Sequence, residues 1–144
     1  MPIRLQAIDH FGLEVADLAR AERFYTEVFG LPVKRRMPGV VVLDFNGRSF
    51  NLLERRDRAP GDPAAIERPT GRSHLAFTVS PDDFAEAAGR LASAGVPTHP
   101  VIDWGDHDGL YFLDPDGNLL ELIDRRPAGG RPSRGAGAGE RASG

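Results

Sequence analysis

The chain contains an internal repeat, and this repeat constrains the fold more than any other feature of the sequence. When His10 is set on His74, Val15 falls on Val79, and an amphipathic helical pattern follows in both copies. Three further strand-like runs follow each helix. Repeats of this kind indicate similar structural units that pack together. We therefore predict an α+β fold of two βαβββ modules, related by pseudo-twofold symmetry and forming an open, cup-like mixed sheet.

The last hairpin of each module supports the same alignment. Setting Asn51 on Glu121 aligns the two copies without a gap, so that the segment Val41 to Leu53 corresponds to the segment Tyr111 to Ile123. An amide in the first copy thus stands where the second copy has a carboxylate. The identities are Leu43-Asp44 with Leu113-Asp114, Gly47 with Gly117, and Leu52 with Leu122.

Module one spans about residues 7–54. It opens with a predicted strand, Ala7–Val15, and continues with a helix that Asp17 caps and Gly30 ends. Apolar residues at helical spacing predict its buried face, which consists of Ala21, Phe24, Tyr25, Val28 and Phe29. The remaining predicted strands are Val33–Arg36, Val40–Phe45 and Ser49–Glu54, with Asn46-Gly47 as a hairpin turn.

Module two, about residues 73–124, repeats this order. A predicted strand over Ser73–Val79 precedes a helix with Ser80 as its N-cap, Pro81 at its first position and Gly95 at its end. The predicted buried face of this helix consists of Phe84, Ala88, Leu91 and Ala92. Further strands are predicted near Thr98–Ile102, Leu110–Leu113 and Leu119–Ile123.

The segments outside the modules have a different composition. Residues 55–72 are polar and rich in proline and glycine, which predicts a linker or long loop without helical or strand periodicity. Residues 127–144 carry no large apolar side chain and cannot bury enough surface to offset the entropy of ordering. We predict a single domain over residues 1–126 and a disordered tail over residues 127–144.

Composition excludes several functional classes. The formal net charge of −3 gives no electrostatic reason to expect a nucleic acid or an anionic membrane as a partner. The absence of cysteine excludes disulfides, thiolate metal sites and a cysteine nucleophile. The start of the chain lacks the apolar core of a signal peptide, and no apolar run reaches membrane-spanning length. We expect a cytoplasmic protein that acts on a small molecule.

Glu121 is the residue that the strand pattern explains least. It lies between Leu120 and Leu122 in an apolar strand, and its side chain shares a face with Leu119 and Ile123. An ionised carboxylate in such surroundings is costly unless it is paired or binds a metal. The question is therefore which group it contacts.

The repeat suggests an answer. It makes His10 and His74 equivalent, and both can lie beside the strand that carries position 51 or 121 in each module. Two imidazoles and one carboxylate, with open positions for substrate, form the facial arrangement that favours Fe(II) and also occurs with Mn(II). A strand histidine alone is more often a packed or surface residue, so the argument depends on the pair.

The other two histidines lack this support. We expect His99, between Thr98 and Pro100, to be exposed. His107 lies in a polar segment, residues 103–109, which predicts a loop before the hairpin. A loop histidine can act as a mobile acid–base group.

These motifs together resemble those of the vicinal oxygen chelate superfamily. They are Asp9-His10, Phe24-Tyr25, Gly30-Leu31, Ser73-His74-Leu75-Ala76-Phe77 and the Tyr111–Glu121 stretch. That superfamily includes glyoxalase I, extradiol ring-cleaving dioxygenases, fosfomycin-resistance enzymes and bleomycin-binding proteins. The resemblance covers residues 7–124 and implies His10, His74 and Glu121 as ligands of a divalent metal. Fe(II) or Mn(II) is favoured, and Ni or Zn is possible.

The resemblance also bears on the substrate. It implies that Tyr111 faces the substrate, although an aromatic residue at this place can equally serve packing alone. Asn51 stands where glyoxalase I has a second glutamate ligand, which argues against a four-ligand site. The positions that hold the phosphonate in the fosfomycin enzymes are Val101 and about Gly130 here, so we expect a different substrate.

Three functions follow from the resemblance. The first is an extradiol-type ring-cleaving dioxygenase, and the second is a glyoxalase-type lyase or isomerase; in either, Tyr111 or His107 handles the proton and Asn51 contacts the substrate. The third is a drug- or metabolite-binding resistance protein with a vestigial metal site. Its ligand cleft would be apolar, lined by Trp104, Phe45, Phe50 and Phe112. Small paired-module domains also shield their sheet edges by association, so we expect a homodimer.

Overall fold

The computed structural model describes residues 1–125 and 140–141. The chain forms two compact units, residues 1–60 and residues 61–144. The boundary falls inside the predicted linker. The predicted disordered tail, residues 127–144, lies outside the described residues except for positions 140–141. No helix in the described part of the chain is long and apolar enough to cross a membrane.

The first unit has the predicted βαβββ order. Its elements are β1 (Phe11–Val15), α1 (Leu18–Phe29), β2 (Val33–Met37), β3 (Val40–Phe45) and β4 (Arg48–Glu54). The strands form one mixed sheet in the order β1-β4-β3-β2, in which β1 runs parallel to β4. The predicted first strand is too long, because β1 pairs with β4 only from Phe11 to Val15. His10 therefore lies one residue before the strand.

Helix α1 confirms both predicted ends. The Asp17 carboxylate accepts a hydrogen bond from the Arg20 backbone N–H, and Gly30 ends the helix with a left-handed φ of 65°. The helix packs on the sheet through aromatic rings, with Tyr25 edge-on to Phe50 at 4.9 Å between centroids. Asn46 and Gly47 both have positive φ, which is the geometry that a two-residue hairpin requires.

The second unit repeats the order with one added strand. It contains a 3₁₀ helix (Pro63–Ile66), β5 (Leu75–Thr78), α2 (Pro81–Ser93), β6 (Ile102–Asp103), β7 (His107–Leu113), β8 (Leu119–Arg125) and β9 (Glu140–Arg141). The sheet order is β5-β8-β7-β6-β9, with β5 parallel to β8. The α+β prediction of two βαβββ units is thus confirmed.

Four details of the second unit correct the sequence analysis. The 3₁₀ helix interrupts the predicted linker, because Asp62 caps it and Pro63 starts it. The buried face of α2 is Phe84, Ala87 and Leu91, so Ala88 and Ala92 are exposed. The C-cap of α2 is Ala94 rather than Gly95. Of the strand predicted near Thr98–Ile102, Ile102 belongs to β6, and Thr98 makes an isolated bridge to Phe112.

The register of the strands confirms most of the repeat and corrects one part of it. Gly12 pairs with Asn51 in the first unit, and Ala76 pairs with Glu121 in the second, as the alignment requires. In the hairpins, however, Asn51 faces Val42 whereas Glu121 faces Tyr111. Tyr111 is therefore the counterpart of Val42 and not of Val41. The ungapped alignment failed here because the first hairpin closes with two residues and the second with the five residues 114–118.

Candidate metal centre

Glu121 lies on the inner strand β8, between β5 and β7, and the residue is 3% exposed. Its Oε2 atom is 3.1 Å from His74 Nε2. Its Oε1 atom is buried and has no hydrogen-bond partner among the described residues. A buried, unpartnered carboxylate oxygen is costly, so this geometry favours a cation at Glu121.

The tautomer of His74 strengthens this argument. His74 Nδ1 is 2.7 Å from the Arg72 carbonyl oxygen, which can only accept a hydrogen bond. Nδ1 must therefore carry a proton, and in a neutral ring Nε2 then presents a bare lone pair. A lone pair does not bond to a carboxylate oxygen at 3.1 Å without a shared cation, which can be a proton or a metal ion. A metal-binding histidine commonly donates its other N–H to a backbone carbonyl in this way.

Gly109 on β7 allows Glu121 and Trp104 to pack directly against its backbone. A Cβ atom at Gly109 would lie 2.2 Å from Glu121 Oε1 and 3.1 Å from Trp104 Nε1. Both distances are too short for a real side chain without movement of these groups. The Glu121 carboxylate and the Trp104 indole therefore occupy the space that a side chain at position 109 would need.

Tyr111 is both a neighbour of Glu121 and a core residue. It is directly opposite Glu121 across β7 and β8, and its ring lies edge-on to His74 at 5.3 Å. It also packs in a buried cluster with Ile102 and Leu119. Burial, with a further contribution from the negative charge of Glu121, raises the pKa of Tyr111 to about 12. The hydroxyl is therefore protonated at neutral pH and can donate a hydrogen bond.

His10 has the equivalent place in the first unit. It immediately precedes β1, as His74 immediately precedes β5. Its Nδ1 is 2.7 Å from Asp9 Oδ1, and this pairing lowers the pKa of Asp9. Because Nδ1 is engaged by a carboxylate, Nε2 is the nitrogen left to bind a ligand. A polar surface cavity of about 500 Å³ lies beside Asp9 and is also lined by residues 46–49.

Asn51 is the first-unit counterpart of Glu121 and shares one property with it. Its Oδ1 atom is buried without a hydrogen-bond partner in the described part of the chain. Both equivalent positions thus present an unsatisfied buried oxygen, one neutral and one anionic. Such atoms are rare in folded proteins and indicate a missing donor or cation.

His107 begins β7 instead of lying in a loop, which corrects the sequence analysis. Its backbone pairs with Arg125, and its Nδ1 is 2.5 Å from Asp106 Oδ1. Its ring stacks on Trp104 with centroids 6.3 Å apart. The sequence analysis also predicted an exposed His99, and this is wrong. His99 is buried, with its Nδ1 2.7 Å from the Pro100 carbonyl oxygen.

The four aromatic residues predicted to line a ligand cleft differ in how far each is buried within its own unit. Phe45 packs edge-on against Phe11, on the sheet face opposite to Asn51, because alternate residues of paired strands point to opposite faces. Phe50 and Phe112 are fully buried. Of the four predicted lining residues, Trp104 is the one with a large exposed surface.

Within each unit, the described residues do not bring three histidine, aspartate or glutamate side chains together as a metal-binding group. The second unit brings together His74 and Glu121, and the first presents His10. Sequence reasoning missed Gly109, Asp9 and the Arg72 carbonyl. Of these three, only Asp9 could have been identified from the sequence, because it is an acidic residue directly before the candidate ligand His10.

Comparison with known proteins identifies the family. The model of the glyoxalase, bleomycin resistance protein and dioxygenase superfamily matches residues 7–122. The chain belongs to this superfamily. Among its members, Metapyrocatechase 2 of Cupriavidus necator is 33% identical over 118 residues, which are 82% of this chain and 33% of that protein. The chain thus spans a third of that relative's length.

Two further members of the superfamily show the range of relatives. The glutathione transferase FosA of Serratia marcescens is 33% identical over 118 residues, covering 82% of this chain and 80% of that protein. The crystal structure of a glyoxalase/dioxygenase from Nostoc punctiforme superposes with a TM-score of 0.70 at 22% identity. That match covers 88% of this chain and 96% of the other. It supports the fold.

Proposed function

We propose that this protein is a metal-dependent enzyme that binds a small oxygenated substrate through a divalent metal. Its ligands are His74 and Glu121, with His10 as the third. The observation that carries the proposal is Glu121, whose Oε1 is buried without a partner and whose Oε2 is 3.1 Å from His74 Nε2. His10 is included because it has the equivalent place in its own unit and the same engaged Nδ1.

The chemistry of this donor set favours particular metals. Two neutral imidazoles and one carboxylate are borderline nitrogen and hard oxygen ligands, which suit Fe(II) and Mn(II) and leave open positions. Ni or Zn would also bind such a set. The bound metal would act as a Lewis acid that stabilises negative charge on neighbouring substrate oxygens.

The surrounding residues of the chain have separate proposed roles. Tyr111 donates a hydrogen bond from a hydroxyl that is neutral at physiological pH, since its pKa is about 12. Asn51 Oδ1 accepts a hydrogen bond from a substrate hydroxyl. His107, whose Nδ1 is paired with Asp106, is the proposed group for moving a proton, because an imidazole can both accept and donate one.

We propose ring cleavage of a catechol as the reaction, with a glyoxalase-type lyase as the alternative. The name of Metapyrocatechase 2 and the three-ligand set favour the first, since Asn51 replaces a fourth anionic ligand. The test compares metal-loaded protein in two assays: anaerobic Fe(II) loading followed by catechol and oxygen, and methylglyoxal with a thiol. Turnover in the first assay alone supports the proposal. Turnover in the second alone assigns the lyase activity instead.

A binding protein for small drugs or metabolites is a second candidate, favoured by the exposed indole of Trp104. This candidate predicts that ligand affinity is independent of metal. A His74→Ala variant separates the two, because it weakens ligand binding only if the metal holds the ligand. The proposed cytoplasmic location and homodimer remain predictions.

A further inference from the structure

His10 lies at the point where the regular structure of the first unit begins. The ladder between β1 and β4 starts at the pair Phe11 and Phe50, whose rings also pack at 4.5 Å between centroids. Residues 1–10 are exposed and belong to no strand or helix. A terminal segment of this kind is poorly ordered unless it is tied down. A fixed position for the His10 ring therefore needs a second anchor on the N-terminal side of the residue.

Arg48 supplies such an anchor. Its guanidinium donates a hydrogen bond to the carbonyl oxygen of Ile8, which lies 40 positions earlier in the chain. The backbone of Arg48 is itself held in the β3–β4 hairpin, where it pairs with Phe45 beside the Asn46-Gly47 turn. The side chain of Arg48 thus holds the segment before β1 at the point where the backbone ladder has ended.

Asp9 connects this anchor to the histidine ring. It lies between Ile8 and His10, and its Oδ1 is 2.7 Å from His10 Nδ1. The positive charge of Arg48 also attracts the Asp9 carboxylate. On another side, Asp9 borders a polar surface cavity of about 500 Å³, so close packing does not hold the segment there.

We propose that Arg48 is a positioning residue for His10. It fixes the backbone two residues before the histidine and attracts the carboxylate that engages the histidine Nδ1. Without this anchor, metal binding would also have to order residues 8–10, and the lost conformational entropy would weaken binding. This inference rests on the proposed function, in which His10 is the third metal ligand.

Calorimetric titration of metal-free protein with Mn²⁺ tests the inference through the variant Arg48→Gln. The substitution removes a positive charge, so electrostatics alone would strengthen the binding of a cation. Loss of the anchor is expected to weaken Mn²⁺ binding instead, by roughly tenfold, the lower end of the effect of removing a group that supports a metal ligand.

Arg55→Gln is the matched control. It removes the same charge from the same unit, and Arg55 pairs with Glu14 near the opposite end of β1 from His10. This control is expected to bind Mn²⁺ at least as tightly as the wild type. Both arginines are exposed, so neither substitution is expected to change the midpoint of urea unfolding.

A double-mutant cycle shows whether Arg48 acts through the histidine. In a His10→Ala background, Arg48→Gln is expected to cause no further loss of Mn²⁺ affinity, because the group that it positions is already absent. A similar loss with and without His10 would overturn the inference. A lower urea midpoint of Arg48→Gln would also overturn it, because Arg48 would then have a general structural role.

The outcomes separate this inference from the proposed function. Wild-type Mn²⁺ affinity in Arg48→Gln, together with a loss in His10→Ala, overturns the inference and leaves the metal site intact. Wild-type affinity in His10→Ala removes His10 from the ligand set, and the inference with it. A wild type that binds no Mn²⁺ overturns the proposed function itself.

Discussion

At the residue scale, the two ring nitrogens of each histidine have different roles. In His74, Nδ1 donates to a backbone carbonyl and Nε2 faces Glu121. In His10, Nδ1 is engaged by the carboxylate of Asp9. Partners of this kind fix the tautomer and orientation of a metal-binding ring, and their loss commonly lowers metal affinity.

Asp9→Ala is therefore expected to weaken metal binding by roughly 10- to 100-fold while leaving all three proposed ligands in place. The control is Asp106→Ala, which removes the same type of Nδ1 partner from His107, a histidine outside the proposed ligand set. Calorimetric titration with Mn²⁺ measures both variants. Equal Mn²⁺ affinities of the two variants would contradict the proposed roles of Asp9 and His10 in metal binding.

At the element scale, a close contact joins Gly61, in the segment before β5, to the loop between β7 and β8. The Gly61 N–H donates to the Asp116 carbonyl at 3.0 Å. A Cβ at Gly117 would lie 2.5 Å from Gly61 Cα, and Gly117 has a φ of 80°. Ile66 of the 3₁₀ helix then packs against the Tyr111 cluster. The segment that precedes β5 is thus anchored to the hairpin that carries Glu121.

Gly117→Ala tests this anchoring. It is expected to lower the free energy of unfolding by about 3 kcal/mol, because backbone strain at positive φ and a backbone clash act together. Gly39→Ala is the matched control, with a φ of 75° and no atom within 4 Å of an added Cβ. The Gly39→Ala control introduces backbone strain without a clash, and it should lower the free energy of unfolding by about 1 kcal/mol. Urea unfolding measures both, and equal losses would show that the Gly61 contact contributes nothing.

The elements also show what the sequence could predict. The Asp17 and Gly30 caps and the Asn46-Gly47 turn depend on local chemistry, and they were predicted correctly. The loop at 114–118 is longer than the Asn46-Gly47 turn, and this difference shifts the register of the second hairpin relative to the first. Similar strands can be joined by turns of different length, so the strand sequences did not predict the shift. His99 is buried because Thr98 bridges to Phe112, a tertiary contact with no local signal.

At the scale of the whole molecule, the repeat predicted the two units and the equivalence of positions 51 and 121. It could not predict that both positions present an unpartnered buried oxygen, since that depends on packing around each side chain. Nor could it show the role of Gly109, because a missing side chain matters only through the atoms that surround it. The predicted ligand roles of His10, His74 and Glu121 stay predictions.

We predict that the protein is a homodimer. The first ten residues expose large apolar side chains, with Ile3, Leu5 and Ile8 between 74% and 92% exposed. Burial of such residues against a second copy would contribute favourable free energy, and β2 is an edge strand of its sheet. Light scattering at micromolar concentration should give twice the chain mass. A monomeric mass would contradict the prediction without affecting the metal site.

The central claim is that Glu121 and His74 bind a divalent metal. Calorimetric titration of metal-free protein with Mn²⁺ tests it most directly, with Glu121→Gln and His74→Ala as the variants and His107→Ala as the control. The account predicts saturable binding by the wild type and the control. It predicts losses in both ligand variants that exceed the roughly 10- to 100-fold effect of removing a supporting partner. Wild-type affinity in both ligand variants, or no binding by the wild type, would contradict it.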